Sequence, residues 1–368
     1  MVENKAGLRE ILTAAVLIAF IGVFYVLNFA IPAPDVLVSE RRMPARFPDF
    51  DADSVFSGTF MSKFEDYTAD RFVFRDFFRG IRSFIVFDVF MQTDKSGIYR
   101  SGEVGIGEFK LPDSVALRLS TERIKKAADS LDGYGLNISY SIIPDKSVFA
   151  ERYMPGFDMG LAESVITDVL RGYNYISLAN ALDGRSFYRT DLHWDQSRIA
   201  GVVTALLSGM GRDAPVNKRA VASAGEFAGV YAGQLALPTA PDTMAYYDIP
   251  GLKVSYLNER TLEFEPGPVY DMERFAGVDP YDMFLKGPQA LIVIENESAP
   301  DRELYLFRDS FGSSLAPLLA ESYSKITVID LRYIHLMLLG QFIEFTPGSD
   351  VLFIYSSMIL NNPSILQT

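Results

Sequence analysis

The chain has only two histidines and one tryptophan, and one of each stands side by side in Arg189-Thr190-Asp191-Leu192-His193-Trp194. A second run, Leu306-Phe307-Arg308-Asp309-Ser310-Phe311-Gly312, reads as a strand that turns at a serine into a helix. Serine is a weak nucleophile until a neighbouring base takes its proton. Histidine is the usual base, and a carboxylate holds its tautomer and supports the imidazolium. Ser310, His193 and Asp191 are therefore candidates for nucleophile, base and orienting acid of acyl transfer. The unpaired N–H groups of Ser310, Phe311 and Gly312 at the helix start would form an oxyanion site. Gly312 would let a substrate approach the backbone closely. Trp194 would pack the histidine loop and shield it from water. Each run also has a plainer reading: Ser310 as an ordinary N-cap, and His193 as a residue that starts the next helix, with Asp191 solvated.

Positioning these groups requires a sheet with loops at one end. From residue 113 onward the pattern alternates. Asp113 to Leu131 reads as a helix, Asn137 to Ile143 as a strand and Ser164 to Leu170 as a helix. Tyr175 to Leu178 and Ser186 to Arg189 read as short strands. Ile199, Val202, Val203, Leu206, Leu207 and Met210 form one helical face, stopped by Gly211. Apolar strands are expected at Ala290–Ile294, Leu304–Arg308, Ile326–Asp330 and Val351–Tyr355, with helices at Phe311–Tyr323 and Ile334–Phe342. This predicts an α/β fold with a mostly parallel sheet covered on both faces. Ligands of such sheets bind at the carboxyl ends of the strands. That end would also bring Asp145 and Lys146, Asp330, Arg332 and Tyr333, and Tyr355 and Ser356 near the serine. Lys146 or Arg332 would there bind a sugar hydroxyl, a carboxylate or an oxyanion, or else make surface salt bridges. Arg308, beside the serine, is a further substrate-side candidate. The stretch from 212 to 287 reads as an irregular Tyr/Asp/Gly-rich insertion, suited to sugar contacts. His335 lies in an apolar helical pattern and reads as structural.

Composition removes several alternatives. The formal charge is −13 with no basic run, so nucleic acid is not an expected partner. There is no cysteine, which excludes disulfides and thiolate chemistry, and two histidines make a multi-histidine metal site untenable. No cofactor is expected. Ile11 to Ile31 is an uncharged run of 21 residues, about 31 Å as a helix, matching the bilayer core. A cleaved signal peptide is the rival reading, but the exit Ile31-Pro32-Ala33-Pro34 is a poor cleavage site. The expected organisation is a membrane anchor over 1–31 and an extended Pro-marked stalk over 32–59. One α/β domain follows over 60–368, beginning with aromatic-rich helical patterns at Phe60–Phe72 and Phe77–Met91. Gly97–Gly105 reads as a hairpin.

These motifs carry a resemblance over most of the chain beyond the anchor. Glu40-Arg41-Arg42 with Phe47-Pro48, Phe64 to Arg75, Pro144-Asp145-Lys146, Tyr188 to Trp194, Arg308 to Gly312 and Val328 to Tyr333 resemble the bacterial DHHW proteins. These are an SGNH-hydrolase-like group related to the periplasmic alginate O-acetylation proteins. Leu192 stands where the name-giving motif has its first histidine, which removes one polar contact. The resemblance implies a three-layer α/β/α SGNH-like fold with circularly permuted motif order, behind one N-terminal transmembrane helix. It also implies Ser310, His193 and Asp191 as the triad and an extracytoplasmic main domain. The implied activity is O-acyl, in particular O-acetyl, transfer to a cell-envelope polysaccharide or hydrolysis, with a membrane-bound O-acyltransferase as donor partner. An anchored glycan-binding or assembly protein of the same fold is the alternative.

Overall fold

The computed structural model describes residues 7–151, 156–215 and 220–368. It divides into two compact units, one of residues 1–91 with 233–238 and one of 92–232 with 239–368.

The first unit opens with α1 (Leu8–Ala30), an apolar helix whose side chains are largely exposed and which is long enough to cross a bilayer. Residues 32–58 are mostly without regular secondary structure, apart from a turn of 3₁₀ helix at Val38–Glu40 and the short helix Ala52–Phe56. This stretch is tied down: Arg42 forks onto Asp70 at 2.6 Å through both terminal nitrogens, and Asp70 also accepts the Ala45 N–H at 2.8 Å. Asp70 lies on α2 (Thr59–Arg71), which is followed by α3 (Arg75–Phe84) and a π turn, Ile85–Val89.

The second unit is built on an eight-stranded sheet. Its strands are β1 (Asn137–Ile143), β2 (Asn174–Tyr175), β3 (Lys253–Leu257), β4 (Phe264–Gly267), β5 (Leu291–Glu295), β6 (Glu303–Arg308), β7 (Lys325–Ile329) and β8 (Asp350–Ser356). Their spatial order is β2-β1-β8-β6-β7-β5-β3-β4. The first five in that order run parallel and the remaining pairings are antiparallel. The central strands are buried on both faces, which is why they read as near-continuous apolar runs. Alternation divides them. Leu304, Leu306, Ile326, Val328, Leu352 and Ile354 face α6 (Ala200–Gly209) and α7 (Phe311–Leu319). Tyr305, Phe307, Val351 and Phe353 face α4 (Ser114–Leu131) and α5 (Met159–Val169). The expected three-layer, mostly parallel architecture is present. In α6 the buried Val202, Val203, Leu206 and Leu207 each contribute about 1.5–3 kcal/mol.

Several local expectations are corrected. The 212–287 stretch supplies β3, the edge strand β4 beside it, and a bulged antiparallel pair, Ala220–Phe227 with Asp242–Asp248. A short, largely exposed edge strand such as β4 carries too little apolar alternation to be read as sheet. Positions 216–219 of that stretch lie outside the described residues. The expected strand at Ser186–Arg189 is a 3₁₀ turn ending in a single bridge, Phe187 with Trp194. The expected helix at Ile334–Phe342 is a 3₁₀ segment, Leu336–Gln341, whose N-cap is His335; its Nδ1 accepts the Met337 N–H. Helix α5 begins earlier than expected because Asp158 caps it.

Candidate active site

Ser310 lies two residues past β6, whose end pairs in register with β7 and β8. Its backbone is already helical (φ −57°, ψ −30°), and its side chain makes no capping bond. The neighbouring Asp309 does that work. Its fully buried carboxylate accepts the Phe311 N–H at 3.1 Å and the Ser356 N–H at 2.7 Å, clamping the turn to the end of β8. The Ser310 hydroxyl is thereby left for another partner, the Nε2 of His193 at 2.8 Å. Ser310 is half-buried.

The His193 ring is held from its other end. Its Nδ1 is 2.8 Å from Asp191 Oδ1, which also accepts the His193 backbone N–H at 3.1 Å; Asp191 Oδ2 accepts the Val230 N–H at 3.0 Å. An acceptor-only carboxylate makes Nδ1 the donor, which leaves Nε2 to accept the Ser310 proton. The ring of Tyr281 lies flat on the imidazole, centroids 3.8 Å apart and 6° from parallel, and Phe311 closes in at 4.9 Å. Tyr281 comes from the insertion, on a 3₁₀ turn capped by Asp279 with Pro280 at its start. Its buried phenol, pushed far up by desolvation, donates to Ser314 Oγ at 2.8 Å.

The Asp-x-His loop is fastened along its length. Tyr188 N–H donates to the His193 carbonyl and Asp195 N–H to the Ser186 carbonyl, so the run closes on itself. Asp242 accepts the N–H groups of Arg189 and Thr190 and the Thr190 hydroxyl. A Cβ at Gly229 would fall 2.2 Å from the Thr190 carbonyl oxygen, so only glycine allows this packing.

The structure moves the substrate-side candidates inward. Lys146 is buried and spends all three protons on backbone carbonyls: Ile106 at 2.8 Å, Tyr188 at 2.7 Å and Asp191 at 2.9 Å. It pins the histidine loop and has no proton left for a sugar or an oxyanion. Burial pulls its ammonium down to about 8, against the opposing attraction of Asp191, Asp242 and Asp145. Trp194 is fully buried, donating from Nε1 to Ser314 Oγ at 2.8 Å and to the Phe311 carbonyl at 3.2 Å. It struts the loop against α7, as a packing role requires. Arg332 forks onto Asp330 at 2.8 and 2.6 Å, and Arg308 reaches the same carboxylate at 3.0 Å. Arg308 is fully buried, and desolvation lowers its pKa; its Nε and Nη2 lack a partner among the described residues. Gly312 is needed for a different reason from the one expected. Its Cβ would lie 2.4 Å from Arg308 Cβ, so it admits the Arg308 stem rather than a substrate. Of the three expected oxyanion donors, Phe311 and Gly312 donate to the Asp309 carboxylate and carbonyl. The Ser310 N–H alone has no acceptor among the described residues.

Sequence reasoning missed Asp309, Tyr281, Ser314 and Asp242. Asp309 had a local signal, since an Asp two residues before a helical N–H is a capping pattern. The other three act across long sequence separations and had none. No group of acidic or histidine side chains that would hold a metal ion occurs among the described residues.

No protein-family model matches the chain, and no curated protein matches it by sequence. Solved structures do match it by fold. A DHHW family protein from Eubacterium siraeum aligns at a TM-score of 0.57 and 18% identity, over 75% of this chain and 97% of that one. PatB1 of Bacillus cereus with a sulfonyl adduct aligns at a TM-score of 0.57 and 15% identity, over 75% and 99% of the two chains. PatB1 without the adduct gives 0.52 at 16% identity, over 72% and 96%. The chain thus has the fold of a DHHW family protein, as the motifs led one to expect.

Proposed function

We propose that this chain is a membrane-anchored serine O-acyltransferase or esterase acting outside the cytoplasm on a cell-envelope polysaccharide. Ser310 is its nucleophile, His193 its base and Asp191 the group that orients the base. The observation that carries this is the pair of 2.8 Å contacts, Asp191 Oδ1 to His193 Nδ1 and His193 Nε2 to the Oγ of half-buried Ser310. Nε2 takes the Oγ proton as Oγ bonds to the acyl carbonyl carbon. The tetrahedral oxyanion is met by the Ser310 N–H at the positive end of α7. Collapse breaks the bond to the leaving group, which takes the proton from Nε2, and acyl-Ser310 remains. A sugar hydroxyl or water then gives its proton to Nε2 and bonds to the acyl carbon, and Nε2 returns that proton to Ser310 Oγ as the acyl–Oγ bond breaks. Transfer of acetyl from a membrane-bound O-acyltransferase fits an anchored enzyme of this kind, and the sulfonyl adduct carried by PatB1 fits a fold that hosts a reactive nucleophile.

The test is hydrolysis of p-nitrophenyl acetate by the full chain in detergent. Ser310→Ala and His193→Ala should each lose most of the activity, and a sulfonyl fluoride should add its mass to the Ser310 peptide of the wild type only. Wild-type hydrolysis at the level of both variants, with no adduct, would sink the triad and leave a glycan-binding protein of the same fold.

A further inference from the structure

Among the exposed apolar surfaces beyond α1, one is organised. Phe74, Phe77, Ile81, Phe84 and Ile85 are all exposed. Their spacing places them on one face of α3 and its first continuation. The opposite face is already engaged. Arg75 and Arg79 reach Glu40 at 2.7 and 2.8 Å, Arg79 donates to the Gln234 carbonyl at 2.6 Å, and the Ser83 hydroxyl donates to the Leu235 carbonyl at 2.6 Å. The polar side of α3 therefore packs on protein and its aromatic side points away from it. Each such large side chain left in water forgoes about 1.5–3 kcal/mol of burial.

The depth of this face is set by α1. Phe24 stacks on Phe72 at 5.7 Å and meets Phe78 edge-on at 5.5 Å, and the Val73 N–H donates to Asn28 Oδ1 at 2.9 Å. Phe24 is six residues before the end of α1 at Ala30, about 9 Å along the axis. Rings that touch Phe24 lie at the depth amphipathic helices occupy at the headgroup–acyl boundary. Arg82, exposed at the flank of the apolar face, is placed to meet lipid phosphates.

We infer that α3 and the Ile85–Val89 turn lie in the plane of the bilayer surface, with the Phe74–Ile85 face inserted into lipid beside the end of α1. This rests on α1 being a membrane anchor. The chain has no cysteine, so a nitroxide on one introduced cysteine reports one depth. Full chains carrying Val16→Cys, Phe77→Cys, Phe84→Cys or Asp76→Cys are labelled and reconstituted in phosphatidylethanolamine–phosphatidylglycerol vesicles. Collision rates are then measured with oxygen, which concentrates in lipid, and with a water-soluble nickel chelate. Labels at 16, 77 and 84 should collide severalfold more with oxygen than with nickel, and the label at 76 the reverse. A deep label at 16 with nickel-accessible labels at 77 and 84 overturns the inference and leaves the anchor standing. A nickel-accessible label at 16 overturns the anchor, and the inference with it. Labels at 77 and 84 shielded from both reagents point to a protein partner on this face and overturn the lipid assignment.

Discussion

Lys146→Met separates a lysine that holds the histidine loop from one that binds substrate. Methionine keeps most of the apolar stem and removes all three donors, leaving the carbonyls of Ile106, Tyr188 and Asp191 buried without their partner. Each orphaned acceptor costs about 1–3 kcal/mol. Against this, the variant no longer buries an ammonium; that burial, which draws the pKa from 10.5 to about 8, costs roughly 3 kcal/mol. The net expectation at neutral pH is a loss of about 3 kcal/mol, or about 1 M in the urea midpoint for a slope of about 3 kcal/mol/M. Trp194 is the only tryptophan, and it is buried in the loop that Lys146 pins, so its emission reports the transition. The pH dependence has a definite sign. A lysine whose folded pKa lies below its unfolded one takes up a proton on unfolding between those values. Wild-type stability relative to the variant should therefore rise between about pH 8 and 10.5, by roughly 3 kcal/mol in total. The esterase kcat should fall as the loop loosens, with KM little changed. An unshifted urea midpoint together with a raised KM would refute the pinning role and return Lys146 to the substrate.

Asp191→Asn should keep the fold, as read by Trp194 emission, yet lower kcat about 10²–10⁴-fold, because an amide facing Nδ1 favours the wrong tautomer. Tyr281→Phe keeps the ring on His193 and loses one bond to Ser314, which should cost about 1 kcal/mol by urea unfolding with little change in kcat. Tyr281→Ala also removes the stacked ring and should cost about 3–5 kcal/mol, with a fall in kcat measurable on the still-folded fraction. Gly312→Ala drives a methyl into the Arg308 stem and should destabilise by about 1–3 kcal/mol in a thermal melt, without the chemical loss of Ser310→Ala.

The juxtaposition of Ser310, His193 and Asp191 was legible because rare residue types stood in two short runs, and because strong apolar strands placed both runs at the carboxyl end of one sheet. The central strands were legible for a physical reason, since burial on both faces forces unbroken apolar sequence. The edge strand β4 is short and largely exposed, so that force is weak there. The environment of the site was less legible. Charged residues are rarely buried without partners, so Lys146 and Arg308 read as surface groups reaching for ligand. What reverses that reading is a set of acceptors supplied from elsewhere in the chain: the carbonyls of Ile106, Tyr188 and Asp191 for Lys146, and Asp330 for Arg308. Tyr281 was hidden in the same way, in an insertion whose composition suggested sugar contacts.

The site consists of two arms held by separate parts of the fold. The serine arm is fixed by Asp309, which ties the turn after β6 to the end of β8. The histidine arm is fixed by Lys146, Asp242 and the Val230 N–H, none of which touches the serine. The arms meet through the Oγ–Nε2 bond and again through Ser314 of α7, which accepts from both Trp194 and Tyr281. Only the first of these links involves Ser310. Replacing Ser310 by alanine therefore removes the proposed nucleophile and one link while the arms keep their register. Loss of acyl transfer in that variant then measures chemistry and not collapse of the site. The same logic gives the buried Ser314 hydroxyl its importance: it is the acceptor that lets a tryptophan on one loop and a tyrosine from a distant insertion hold one imidazole against one serine.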